Sequence, residues 1–329
     1  MKRSILLVAA AAASIISCKS NLAGTSAPEL PEAVNFGTYV PYTRTAAITS
    51  ANIADFGVYA FYSPSGGWND GLIPDFMFDQ KVEGSAAAGF SYAPIKYWPK
   101  NEGETISFFA YAPYKSDSNG ISEQSLPSSA GAPQISYSLP DDEASQVDLL
   151  CAAPALARTA FDGQVSFSFS HVLSRIGVSV KTDASVLSGG SAIYLNSVSI
   201  EAGFPSSGVL SLGDGSWSNV QAGAHRTYLR DLGSTESGLA VGTSEYPVFS
   251  GDDFVMCIPS DDLALGLTVT YTLVTPDPAL ASGKSVIVNT VELSTRIDAT
   301  SGKTHTIVLN ISPEAVTFGV PTVSEWEDA

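Results

Sequence analysis

The side chains that could do acid–base, nucleophilic or metal chemistry are few and scattered. The three histidines are His171, His225 and His305, and none has a partner at metal-ligand spacing. His171 falls in phase with the apolar residues of its segment. That is the pattern of a core histidine bonded to backbone rather than of a general base. Acidic pairs stand at Asp141-Asp142, Asp252-Asp253 and Asp261-Asp262. Glycoside hydrolysis needs two carboxylates facing one another across a cleft. Neighbours on a strand point to opposite faces, and these pairs are flanked by Pro, Gly or Ser. They read as solvated turns, with a loop calcium site as the alternative. No G-x-S-x-G, phosphate loop or H-E-x-x-H occurs. The sequence therefore predicts no catalytic residue, no cofactor and no metal.

The remaining chemistry belongs to thiols. Cys18 closes the run ILLVAAAAASIISC, which follows Lys2 and Arg3. A basic start, a short apolar run and a small-residue site make a secretory signal. The run is too short for a membrane span, which takes about 20 apolar residues. The ending resembles the bacterial lipobox, with Ile15 where Leu is usual. That resemblance implies a signal peptide over residues 1–17 and acylation of Cys18. The expected product is a lipid-anchored outer-membrane protein exposed at the cell surface. A plain signal peptide with a chance cysteine is the alternative. Cys151 and Cys257 sit in the apolar strings VDLLCAA and DFVMCIP. A disulfide and two buried free thiols both fit them.

Charge narrows the partners. The formal net charge is −17, which excludes a nucleic-acid partner because phosphate binding needs a basic footprint. It also argues against adhesion to anionic lipid, leaving the lipid anchor as the membrane contact.

The elements that must carry these residues are strands. Only 15% of residues are charged and short apolar alternations are separated by turn residues, the composition of an all-β chain. Residues 18–33 form a polar tether. Val34, Phe36, Val40 and Tyr42 share one alternating face of a first strand, with Pro41 confining it to an edge. Arg44, the only basic residue between Lys19 and Lys81, follows it. FGVYAFY (56–62), Phe90 to Tyr97 and ISFFAY (106–111) are further strands, and 115–133 reads as a long loop. In VSFSFSHVLSRIGVSV (165–180) the apolar phase reverses near Ser174-Arg175, which predicts a bulge or kink. LTVTYTLV (267–274) and 285–293 read as a hairpin, and Thr304 to Ile311 and Val316 to Val323 close the fold. Ala153 to Arg158 is the most helical stretch. A domain boundary is expected near 155–165, giving domains over 34–160 and 161–329.

Trp68 and Trp217 lie in Gly, Ser and Asn-rich loops. A loop indole can stack on a sugar or cover the end of a sandwich. The first reading makes a surface glycan-binding lipoprotein the alternative function.

Taken in order, the Cys18 lipobox, Thr43-Arg44, FGVYAFY, YAPIKYWP with ISFFAYAPY, VSFSFSHVLSRIGVSV, the LTVTYTLV hairpin and the closing strand to Trp326 resemble the fimbrillin family of Bacteroidales. The resemblance implies two transthyretin-like β-sandwich domains in tandem and a structural pilus subunit or adhesin. It also implies lipoprotein export and, in polymerising members, cleavage after an arginine, here Arg44. Loss of the strand bearing Val34, Phe36, Val40 and Tyr42 would open a groove for a strand of another pilus subunit. Val316, Phe318 and Val320 mark the candidate donor, or else a permanent strand of the second domain. A host or bacterial surface ligand is a further implied partner.

Overall fold

A computed structural model describes residues 32–39, 52–140, 145–158 and 164–326. Cys18, Val40, Tyr42, Arg44 and the Asp141-Asp142 pair lie outside the described residues.

The first half begins with β1 (Phe36–Tyr39), β2 (Asp55–Ser63), β3 (Met77–Ser85), β4 (Gly89–Ser91) and β5 (Thr105–Ala112). It continues with β6 (Ile121–Glu123), β7 (Gln134–Ser138), β8 (Leu150–Arg158) and β9 (Val165–His171). Then come β10 (Ser174–Lys181), the single helical turn α1 (Ala184–Ser188), β11 (Ala192–Ala202), β12 (Pro205–Ser211) and β13 (Trp217–Ala222). β14 (Arg226–Asp231), β15 (Leu239–Ala240), β16 (Tyr246–Phe249) and β17 (Val255–Cys257) lead to the long hairpin of β18 (Ser260–Pro276) and β19 (Lys284–Ala299). β20 (Lys303–Ile311), β21 (Val316–Phe318) and β22 (Thr322–Glu325) end the described chain.

These strands build four sheets. The first runs β1-β9-β8-β5-β2-β3-β4, with β1 parallel to β9 and the rest antiparallel. A second, β13-β12-β7-β6, takes strands from both halves of the chain. The third runs β16-β10-β20-β21, with β17 also on β10 and β22 also on β20. The fourth runs β14-β11-β18-β19, with β15 on β11.

Alternation explains the packing. In β2, Phe56, Val58 and Ala60 enter one core while Tyr59 and Phe61 enter another. β5 divides the same way, with Phe108 and Ala110 on one side and Phe109 and Tyr111 on the other. This is why both strands are apolar throughout. β18 sends Leu265, Leu267, Val269 and Tyr271 into a third core against β10 and β20. The result is two β-rich bodies, joined by an apolar cluster that includes Tyr137, Leu173, Leu210 and Trp326.

Several expectations change. Ala153 to Arg158 is not helical but the end of β8, paired with β5 from Ile106↔Arg158 onward. Alanine's helix preference is small per residue and yields to the sheet. The phase reversal after Phe169 is not a bulge. The strand ends at His171, the chain crosses at Val172-Leu173, and β10 starts in a different sheet. β9, assigned from sequence to the second domain, pairs with β8 and β1. Of Phe90 to Tyr97, only the first two residues are in a regular strand, because Pro94 supplies no donor. The loop at 115–133 contains β6, and Val316 to Val323 is split into β21 and β22 around Gly319-Val320-Pro321.

Candidate functional site

β1 lies in an aromatic slot. Val34 and Phe36 are fully buried. The Phe36 ring stacks on Phe167 with centroids 5.7 Å apart and meets Tyr92 at 5.2 Å, Phe108 at 5.9 Å and Phe56 at 6.2 Å. β1 ends its sheet, yet the backbone leading into it, residues 32–36, is held on both sides. Toward β9, Val165 N donates to Asn35 O at 2.8 Å. Toward residues 96–98, Val34 N donates to Lys96 O at 2.9 Å and Trp98 N to Glu32 O at 3.0 Å. The Tyr92 hydroxyl donates to Val34 O at 2.9 Å, and Gln164 Nε2 donates to Phe36 O at 2.7 Å. Gly37 passes beside Gln164 so closely that a Cβ there would come within 2.8 Å of the amide oxygen. Every one of these contacts is apolar or a neutral hydrogen bond. The slot recognises an extended backbone and an aromatic side chain, not charge.

The other end of the chain lies on an edge. β21 pairs Val316 with Ile311 and Phe318 with Leu309, and β22 pairs Thr322 with Thr306. Between them Gly319 N donates to Val308 O at 2.7 Å. Val316 is buried, but Phe318, Val320 and Val323 are 40%, 83% and 62% exposed. Trp326, only 4% exposed, ends the segment. Its ring stacks on the His171 imidazole at 4.8 Å and meets the Arg175 guanidinium at 4.4 Å.

His171 is a core histidine, but its bond differs from the backbone contact expected. Nδ1 meets Asp148 Oδ2 at 2.7 Å, and both side chains are buried. A buried carboxylate needs such a partner, and a separation of 23 positions hides the pair in sequence. Nε2 has no hydrogen-bond partner, so no hydroxyl or thiol is activated by it. His305 is also buried, with Thr300 N donating to its Nε2 at 3.1 Å, and burial lowers its pKa.

The other candidates serve packing. Trp68 is half-buried with its ring 5.4 Å from Phe109. Trp217 donates from Nε1 to Val172 O at 2.8 Å, pinning the crossing between sheets, and its ring lies 6.1 Å from Tyr137. Cys151 and Cys257 are free and buried in separate clusters, and burial pushes each thiol up to about 12. Asp253 and Asp262 pair with Arg230 and Arg296. Among the described residues no group of His, Cys, Asp or Glu could hold a metal ion. The slot walls Tyr92 and Gln164 went unmarked in the sequence, as did buried Asp79, which accepts from the Tyr111 hydroxyl at 2.8 Å and pairs with Lys115 at 2.6 Å. Only an internal contact map could have found them.

The described residues form a mostly β protein with exposed sheet edges. The chain belongs to the Fimbrillin-like family, whose model matches residues 43–326. That membership makes it a structural, non-enzymatic member of a fimbrial subunit and adhesin family. It is 24% identical to fimbrium subunit Fim1C of Phocaeicola vulgatus, over 98% of this chain and 96% of that protein. Its fold is similar to the crystal structure of a fimbrial protein from Bacteroides vulgatus, with a TM-score of 0.72 at 25% identity, covering 89% of this chain and 99% of the other.

Proposed function

We infer that this chain is a subunit or adhesin of a cell-surface fimbria and that it assembles by strand addition. In this reading it is exported as a lipoprotein acylated on Cys18 and reaches the outer membrane. Cleavage after Arg44 then frees the segment carrying β1. In this reading the two β-rich bodies are two transthyretin-like sandwich domains, with β12 and β13 returning to the sheet of β7 in the first. The observation that carries the reading is the β1 slot, where a short edge strand fills an aromatic groove through backbone bonds and one deep ring. Removing it would leave Phe56, Phe108 and Phe167 facing water and β9 with an unpaired edge. An incoming strand restores both. β21, with its neighbour β22, is the donor this reading favours. Glycan binding through Trp68 and Trp217 draws less support, because both indoles are engaged inside the fold.

The test is digestion of the lipid-free chain with an arginine-specific protease, followed by an unboiled denaturing gel. A cut at Arg44 and a ladder of stable multimers is the expected result. A cut without a ladder would reject self-assembly by this route and leave a capping or anchoring role. An intact Arg44 in the folded chain would reject cleavage.

A further inference from the structure

Asp79 is a buried carboxylate on a strained backbone. It stands in β3 where the register against β2 slips between Val58 and Ala60, and its φ is +43°. A bulge re-aims a side chain, and a non-glycine residue with positive φ persists only where its surroundings hold it. Here the carboxyl is turned inward until its side chain is 2% exposed. The Tyr111 hydroxyl donates to Oδ1 at 2.8 Å, and Lys115 Nζ lies 2.6 Å from Oδ2. The Tyr114 hydroxyl donates to the backbone O of Asp79 at 3.3 Å. Its ring is stacked on Tyr111, and Lys115 Nζ lies 5.7 Å from the Tyr114 centroid, so aromatic surface shields the pair. Lys115 Nζ also donates to Glu123 Oε1 at the mouth of the site. One ammonium therefore serves two carboxylates, one of them cut off from water.

We propose that Lys115 and Asp79 are a modification site, at which the chain condenses on itself to an isopeptide bond between Lys115 Nζ and Asp79 Cγ with loss of water. The residues present supply each part of that step. Lys115 passes one proton to Asp79 Oδ2, which leaves an amine facing a neutral carboxyl. The Nζ lone pair forms the bond to Cγ, and negative charge develops on Oδ1, where the Tyr111 hydroxyl already donates. Glu123 Oε1 accepts a second proton from Nζ and delivers it to Oδ2. The C–Oδ2 bond breaks, Oδ2 departs as water, Oδ1 becomes the amide oxygen, and Glu123 ends as it began. No oxidant or co-reactant is needed. In water such a condensation is held back by hydrolysis, but groups fixed in contact react at effective molarities of about 10⁵–10⁸ M. A buried ion pair bears the desolvation of both charges, and the amide removes that cost while the remaining charge, on Glu123, stays at the surface. The bond would tie β3 to the chain just past β5 across β2, which lies between them in the sheet.

The test is the mass of the denatured full Cys18→Ala chain, which is independent of any assembly. The chain should be lighter than its sequence by about 18 Da, the mass of one water. Tryptic digestion should then yield residues 45–81 joined to residues 101–158 in one branched peptide, because a lysine in amide linkage is no longer cut. Lys115→Arg keeps the charge beside Asp79 but has no amine to acylate, so it should restore the full mass and both separate peptides. Asp79→Ala should do the same. Glu123→Gln keeps the shape without the proton carrier and should leave most chains unlinked. Separate peptides and full mass in the unsubstituted, folded chain overturn the proposal. So does a water loss that persists in Lys115→Arg, which would place it elsewhere, as in a succinimide at Asp70-Gly71. A fully linked Glu123→Gln chain would strike Glu123 from the step.

Discussion

The indole of Trp326 lies flat on the imidazole of His171, with centroids 4.8 Å apart and planes 8° from parallel. The contact joins the last buried side chain among the described residues to the strand end where the chain passes from one body to the other. Arg175, two residues beyond that crossing, also lies over the indole, 4.4 Å from its centroid. The C-terminal edge is therefore anchored by buried Val316 at one end and Trp326 at the other, with backbone bonds to β20 between them.

Trp326→Ala should be costly for this reason. Removing a buried tryptophan typically costs about 3–5 kcal/mol. Denaturant unfolding should show a loss of that order, and hydrogen exchange should show β22 opening first. An unchanged midpoint with β22 still protected would contradict the anchor.

Phe36→Ala should destabilise the uncut chain. A buried phenylalanine contributes about 1.5–3 kcal/mol by area, and each aromatic pair adds about 0.5–1.5 kcal/mol. Thermal unfolding of Phe36→Ala should fall well below that of Phe318→Ala. Equal midpoints would mean the slot is not closed around β1.

Cys151 and Cys257 should be silent in the native protein. The thiolate is the reactive form, and burial raises both thiols from 9.0 to about 12. A folded pKa above the unfolded one gives stability that is full below pH 9 and is lost as pH rises toward 12. Thiol reagent at pH 8 should label neither residue until denaturant is added. Alkaline unfolding should weaken when both are replaced by alanine or valine. Rapid native labelling would place at least one of them at the surface.

His305 should make the second body acid-sensitive. Burial lowers its pKa, opposed by the Asp298 charge. The folded state then favours neutral imidazole, so stability is full above the ordinary value of about 6.5 and falls as pH drops through the lower folded value. His305→Gln should flatten the stability profile in that range. An unchanged acid limb would assign it to other groups.

The sequence made some of this legible. β2 and β18 were readable because their side chains state directly which faces are buried. The reversal of phase after Phe169 was also visible, but alternation cannot distinguish a bulge from a change of sheet. β8 was missed because an Ala-rich string has no face to read, and pairing with β5 decides it. The slot was half legible. Phe36 and Val34 stand out as an apolar face, but Tyr92 and Gln164 act across 58 and 128 residues. No local pattern reports contacts of that separation.

The sheet shared by both halves bears on how the molecule would carry load. The chain crosses from β9 to β10, returns from β11 to β12, and leaves again from β13 to β14, while β12 is zipped along β7. Tension applied between the chain's ends would not fall on one linker. To part the bodies, a pull would have to shear the β7–β12 ladder and empty the cluster around Tyr137 and Leu210, so that a single covalent thread is mechanically reinforced by its own back-and-forth stitching.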